Sequence, residues 1–461
     1  MFEVFGIILS LGLLIFLAYR GFSVIFFAPV FALLAASLSG FSVMPTFTEV
    51  FLPSLANYVK IYFPFFLLGA VFGKVMEETG SAQAIAKAVV QRLGARQAIL
   101  AVVLSCAILT YGGVSLFVVS FAVYPFAASL FKEAGIPKRL LPGVIALGAF
   151  TFTMDSLPGT PQIQNSIPMK FFNTDLYAAP VFGIVGALII GISGVFYLQW
   201  RRNQATQAGE GYGVHTVNEP EAQRFTNLPS LPLAVLPLLC VLVVTLLLQK
   251  FVFPHWDIAS WASEAPYKMD PKGITGTMNN WALMIALTLG IVLALALNPI
   301  RLKGKWSKAL NAGVIGSLLA IMNTASEVGF GNVIKLLPGF QTIANALMSI
   351  QGGGSPLLSE ALTVNVLAGI TGSASGGMSI ALEAFGKNYL EWAQRANVSP
   401  ELLHRVASMA SGGMDTLPHN GAVITLLAIC GLTHRDSYKD IFVITLIKSL
   451  TVFLLIGIWG L

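Results

Sequence analysis

The sequence predicts an all-α polytopic membrane protein built from two inverted repeats, each holding five transmembrane helices and one re-entrant hairpin. Three observations lead there. Of 461 residues, 56% are hydrophobic and 10% charged, with a mean hydropathy of +0.77, whereas soluble domains carry roughly 25% charged residues. Apolar runs near the spanning length of about 20 residues recur along the chain, from Phe5–Ala18 and Ser23–Ser39 to Ile441–Trp459. Motifs of the first half also return, in order, in the second.

The first run follows only Met1, Phe2 and Glu3, with Arg20 behind it, so the basic n-region of a cleavable signal is missing and a retained crossing is expected. Arg201 to Asn227 is the least hydrophobic stretch and reads as a solvated linker. It divides residues 1–200, with spans 1–5 and a hairpin at about 97–131, from residues 229–461, with spans 6–10 and a hairpin at about 356–385; the linker covers 201–228. Each half shows two spans, a third ending in Glu-x-Gly, a glycine-punctuated apolar segment, a span broken at Pro, and a last span. Glu78-Thr79-Gly80 matches Glu327-Val328-Gly329, and Gly112-Gly113-Val114-Ser115 matches Gly372-Ser373-Ala374-Ser375. Met154-Asp155-Ser156-Leu157-Pro158 matches Met414-Asp415-Thr416-Leu417-Pro418. The last two pairs share one offset (415 − 155 and 372 − 112, both 260), which favours duplication over chance.

Charge tests the inversion. The loops at 20, 74–96, 132–139, 201–224, 301–308 and 435–439 hold 17 Lys and Arg; those at 41–60, 169–178, 250–279, 330–352 and 387–405 hold nine. Cytoplasmic loops carry the Lys/Arg excess, so both termini are expected outside and the two copies point opposite ways. The first hairpin is then cytoplasmic and the second external. Net charge +6 and a pI near 9.1 reflect this topology, not a nucleic-acid footprint. Cys106, Cys240 and Cys430 lie inside apolar runs without metal-ligand spacing, so neither a zinc site nor a disulfide framework is expected, and no cofactor motif is read.

Irregular backbone at membrane depth occurs only where it is buried or lines a cavity. Four places qualify: Tyr111 to Ser115, Asp155 to Asn165, Thr371 to Gly377, and Gly412 to Asn420. In an inverted-repeat transporter, broken helices meet near the midplane and their N-termini offer N–H groups and positive dipole to an anion. Expected contacts are Gly112, Gly113, Ser115, Ser156, Gly159, Thr160, Gln162, Asn165, Thr371, Gly372, Ser373, Ser375, Gly376, Thr416, His419 and Asn420. A carboxylate fits the N–H groups and a hydroxylated chain fits the side chains. Glycine packing and simple proline kinks are the plainer explanations of each motif taken singly. Asp155 and Asp415, ionisable groups within spans, are the candidate proton carriers, with Glu327 a third. The plainer alternative is that each Asp caps the half-helix after its break, or that Glu78 and Glu327 merely end helices. His419 has a titratable ring, and Lys448, in the last span, is expected to snorkel.

Through these residues the chain resembles the gluconate:proton symporter (gluconate permease, GntP) family of the ion-transporter superfamily, over nearly its whole length. The resemblance rests on Leu109-Thr110-Tyr111-Gly112-Gly113-Val114-Ser115-Leu116-Phe117, Leu157-Pro158-Gly159-Thr160-Pro161, Ala325-Ser326-Glu327-Val328-Gly329-Phe330-Gly331 and Leu417-Pro418-His419-Asn420-Gly421. It implies proton-coupled import of gluconate or a related monocarboxylate across the bacterial inner membrane. The superfamily implies a homodimer with an elevator-like moving domain. Within the family the chain looks closer to permeases associated with 3-hydroxybutyrate and other short hydroxy acids than to sugar-acid carriers. Asp155 stands where members often have an uncharged residue, so the resemblance carries the proton role onto Asp415. The alternatives are a sodium-coupled carboxylate symporter, a passive anion channel, and an intramembrane aspartyl protease, whose Gly-x-Gly-Asp and Tyr-Asp pattern is not matched because both aspartates follow Met.

Overall fold

The computed structural model describes residues 2–20, 22–114, 116–219, 228–256, 274–299, 301, 304, 306–340, 342, 346, 354–418 and 420–459. The chain is all-helical and polytopic. Its helices, in order, are α1 (Phe2–Tyr19), α2 (Val24–Leu38), α3 (Val43–Glu78), α4 (Ser81–Leu93), α5 (Ala98–Tyr111), α6 (Leu116–Glu133), α7 (Leu141–Ala149), α8 (Phe152–Asp155), α9 (Ile163–Phe172) and α10 (Pro180–Gln207). The second half continues with α11 (Leu231–His255), α12 (Ile274–Leu297), α13 (Trp306–Leu336), α14 (Leu357–Thr371), α15 (Ala374–Arg395), α16 (Pro400–Ser411), α17 (Gly421–Cys430) and α18 (His434–Ile458). Among the described residues, six helices are long and apolar enough to cross a bilayer unaided: α3, α10, α11, α13, α18 and the Asn280–Leu297 part of α12. A seventh crossing arises if the pair Ser81–Leu93 and Ala95–Tyr111, bent by 104° at Gly94, counts as one.

Sequence explains where helices stop. At the two hairpin tips the chain reverses through glycines at positive φ, Gly113 (φ 93) and Gly372 (φ 65), a conformation that a Cβ disfavours. Two further helices break in stretches that carry matched prolines: α7 ends at Ala149 and α8 at Asp155, ahead of Pro158 and Pro161, and α16 ends at Ser411, ahead of Gly412, Gly413 and Pro418; proline keeps the intervening backbone from rejoining a helical ladder. Hairpin arms and half-helices start at matching distances, as with Ala98 and Leu357 or Leu141 and Pro400 (357 − 98 and 400 − 141, both 259).

That spacing corrects one expected match. Glu78 ends α3, but Glu327 lies inside α13, which runs on to Leu336. The helix end opposite Glu78 is Leu336, and Glu327 faces the protein interior as a buried mid-helix carboxyl. Two other expectations change. Arg405, counted above with a loop, is 0% exposed within α16. The stretch from Arg201 is not simply a solvated linker: α10 continues to Gln207, and residues 210–219 are pinned. Lys138, itself buried, pairs with Glu219 at 2.6 Å; Tyr124 Oη donates to Asn218 O, and Asn218 Nδ2 donates to Ala428 O.

Helices fall into two packed groups. In one, α3 and α13 lie along each other with α2 and α12 beside them; Gly313 meets the Val71 backbone and Gly329 the Phe51 ring, the small-residue contact that lets membrane helices approach closely. The other gathers both hairpins, both broken helices, α10 and α18. The second hairpin packs on α13 through α15, with Ile380 filling the space beside Gly331.

Candidate functional site

Each hairpin tip is tied to the broken helix of its own half. Gln162, at the start of α9, donates through Nε2 to Thr110 O (2.7 Å) and Val114 O (3.2 Å), and Tyr111 Oη donates to Pro158 O (2.9 Å). In the second half Asn420 Nδ2 donates to Gly372 O at 2.6 Å. Both tips therefore end against irregular backbone, as the motifs suggested. The first tip is otherwise enclosed by apolar groups, Gly112 against Leu238 and Gly113 against Phe72, Leu287 and Pro161.

The two broken helices meet at a buried ion triad. Lys448 Nζ lies 2.9 Å from Asp155 Oδ2 and 3.6 Å from Asp415 Oδ1, and it also donates to Phe150 O, a carbonyl freed at the end of α7. The Lys448 and Asp155 side chains are at most 1% exposed, and that of Asp415 is 8% exposed. Ser156 Oγ donates to Asp155 Oδ1 at 2.7 Å. Gly412 permits the approach: a Cβ there would run into Asp155 Oδ2 and Lys448 Nζ, and one at Gly413 into Asn365 Nδ2. Thr416 and Thr445 share a hydrogen bond beside the triad.

This geometry revises two expectations. Lys448 does not snorkel; partners on both broken helices hold it inside. The aspartates are not N-caps either: Asp155 closes α8, and the cap of α17 is Asn420, whose Oδ1 accepts from Ala422 N and Val423 N.

A second buried node props the first break. Arg405 is spread over acceptors alone, reaching Leu176 O, Ala178 O, Asp155 O and Asn165 Oδ1 at 2.8–3.4 Å. His404 bridges Thr174 (2.6 Å) and Asn165 Oδ1 (3.0 Å). Asn165 also donates to Thr160 O and Leu176 O, and Ser408 donates to Asp155 O.

Of the expected contacts, Ser156 and Thr416 border the triad, Gly159 is tied to Leu176 O, and Thr160 Oγ1 is buried without a hydrogen-bond partner among the described residues. Asn165 and Asn420 have their polar atoms engaged within the protein, and Gln162 its Nε2, so they shape the loops. Ser373 caps α15, accepting from Gly376 N at 3.1 Å, and its Oγ lies 3.4 Å from that of Ser375. Glu327 sits apart from the triad, against Gly376. Ser115, His419 and the Thr371 side chain lie outside the described residues. Not anticipated were Lys448 as a partner, Arg405, His404, and Glu360, a wholly buried carboxyl on the first turn of α14. A lysine 14 residues into an apolar helix is itself a signal; the interior role of Arg405 is masked by its place in a polar stretch.

Among known proteins, the profile described as GntP family permease matches residues 2–459. An uncharacterized transporter of Bacillus subtilis, YxjC, is 50% identical over 476 residues, covering 100% of this chain and 99% of that protein. An uncharacterized permease of Haemophilus influenzae is 23% identical, covering 81% of this chain and 76% of its own. Neisseria gonorrhoeae MtrF, presented as one of a class of antimetabolite efflux pumps, shares the fold at TM-score 0.52 and 13% identity, over 88% of this chain and 83% of MtrF.

Proposed function

This chain belongs to the GntP permease family, transporters rather than enzymes, and from that premise we propose that it is a proton-coupled symporter of a small organic monocarboxylate. Gluconate or a short hydroxy acid such as 3-hydroxybutyrate is the substrate class. The observation that carries this is the triad. One ammonium balances one of two buried carboxylates, and an isolated charge in such surroundings is expensive. A second positive charge is therefore required when an anion enters nearby, and a proton on Asp155 or Asp415 is the smallest that serves. Because Lys448 joins both broken helices, changing its partner changes how the halves sit on each other.

In this proposal the carboxylate is gripped at the second hairpin tip by the first N–H groups of α15, while Ser156, Thr160 and Thr416 meet its hydroxyls; at the first tip the N–H groups of Gly112, Gly113 and Val114 are bonded to the carbonyls of Ile108, Thr110 and Leu109, which corrects the expected role of that tip. Ten crossings result when α1, α2 and the two broken helices span with the six long helices, in two inverted repeats with both termini outside. The hairpins, broken helices, α10 and α18 move as an elevator past α3 and α13, within a homodimer in the inner membrane. Sodium in place of the proton is the second reading, favoured by the clustered oxygens of Glu327, Ser373 and Ser375.

The test is uptake of labelled gluconate and 3-hydroxybutyrate into proteoliposomes under an inward proton or an inward sodium gradient. Accumulation above equilibrium with protons alone supports the proposal. Accumulation only with sodium shifts coupling away from the triad, and uptake that never exceeds the outside concentration indicates a passive channel.

A further inference from the structure

Glu327 is a buried carboxyl that the triad does not use. It comes from α13, in the group formed with α3, yet it reaches the tip of the second hairpin. A Cβ on Gly376 would collide with Glu327 Oε2 and crowd Ser373 Oγ, so the carboxylate lies on the first turn of α15. Glu327 is 6% exposed, and Oε2 has no hydrogen-bond partner among the described residues. Ser373 and Tyr58 of α3 stand beside it, Tyr58 facing Ser375 and Ser379. A helix start leaves N–H groups unpaired and carries partial positive charge, which makes it a seat for anions.

We infer that Glu327 is a tethered occupant of this anion seat, and that a substrate carboxylate binds by displacing it. The inference rests on the reading that the substrate is a carboxylate held by the α15 N-terminus; it adds what fills that seat beforehand. A second carboxylate arriving on this turn meets the space and the negative charge of Glu327, so the substrate's affinity is set against the side chain already in place. Since Glu327 belongs to α13, its contact also fastens the hairpin to that helix. Among the described residues, hydrogen bonds that also tie them are Asn332 Nδ2 to Glu383 Oε2 (2.8 Å) and Lys335 Nζ to Glu383 O (2.6 Å), made by residues that no substrate carboxylate would replace. Substrate binding thus removes the contact at the tip and leaves the ties through Glu383 in place.

The test compares purified full-length wild type with Glu327→Gln, which keeps the shape without the charge, and Glu327→Asp, which keeps the charge. Thermal shifts are titrated with lactate, 3-hydroxybutyrate and gluconate at fixed ionic strength. Glu327→Gln is expected to bind the stabilising carboxylate about tenfold more tightly, within the usual range of coupling between sites, while Glu327→Asp stays near wild type. Unchanged or weaker binding by a folded Glu327→Gln overturns the inference. A second arm needs no substrate. With Cys106, Cys240 and Cys430 replaced by serine, Ser375→Cys is reacted with a sulfonate-bearing thiosulfonate and with a neutral one. The ratio of anionic to neutral rates is expected to rise about tenfold on adding Glu327→Gln, and an unchanged ratio overturns the seat. If that ratio rises while none of the three carboxylates binds any variant, the seat stands and the carboxylate-transport reading fails.

Discussion

Lys448 has two carboxylates to satisfy and one charge with which to do it. Removing it leaves both Asp155 and Asp415 buried without a cation, and breaking a buried pair in this way costs about 3–5 kcal/mol. Lys448→Met is therefore expected to lower the melting temperature of the detergent-solubilised protein strongly, and a change equivalent to under about 1 kcal/mol would show the pairing to be incidental. Gly412→Ala tests the same spot by volume. Its methyl group would enter the space of Asp155 Oδ2 and Lys448 Nζ, and overpacking of this kind costs about 1–3 kcal/mol; transport should fall with it, while Gly421→Ala, where a Cβ meets nothing within 4 Å, should leave transport near wild type. Both aspartates were legible in the sequence because a carboxylate in an apolar run stands out. Their shared partner was not: an apolar helix with one lysine shows depth along the chain, but not which neighbour the side chain turns toward.

At the scale of elements, a side-chain amide helps to link each tip to its break. Asn420 caps α17 and donates to Gly372 O. Asn420→Ala should lose about 1 kcal/mol of capping and, beyond that, loosen the tip, seen as faster amide exchange over Gly372–Gly376; unchanged protection there would mean that the cap acts alone. The pinned segment after α10 makes a different prediction. Arg139 holds the Glu210 carboxyl below its usual range, through two hydrogen bonds of 2.7 Å, and Asp440, Arg201 and Tyr197 surround the same corner. A lowered carboxyl pKa adds stability that is present above the unfolded value, near 4.3, and lost as pH falls through the folded one. Amide exchange over residues 210–219, taken relative to the intrinsic rate at each pH, should therefore accelerate below about pH 4.3 in wild type and already be fast at neutral pH in Glu210→Gln. Equal rates in both proteins at neutral pH would detach Glu210 from the strap. Hairpins and breaks were readable from glycine and proline, which act locally. The strap was not, because its anchors, Lys138, Tyr124 and Ala428, lie far away in sequence.

For the whole molecule, composition sufficed for an all-helical membrane protein, and paired motifs for two halves with similar element order. The motif pair at Glu78 and Glu327 misled because Glu-x-Gly recurs easily in such a sequence; only helix ends reveal that Leu336, not Glu327, stands opposite Glu78. The meeting of the halves at Lys448 is a tertiary fact that no local pattern records. It is also where the proposed coupling resides. Asp415→Asn keeps the shape of the side chain but removes the second negative charge, so Lys448 and Asp155 balance without a proton.

The most direct test is to load proteoliposomes with the transported carboxylate and compare wild type with Asp415→Asn in two assays, accumulation driven by an inward pH gradient and exchange at equal pH. The proposed coupling predicts that the variant loses gradient-driven accumulation while retaining exchange; undiminished accumulation by the variant would contradict it.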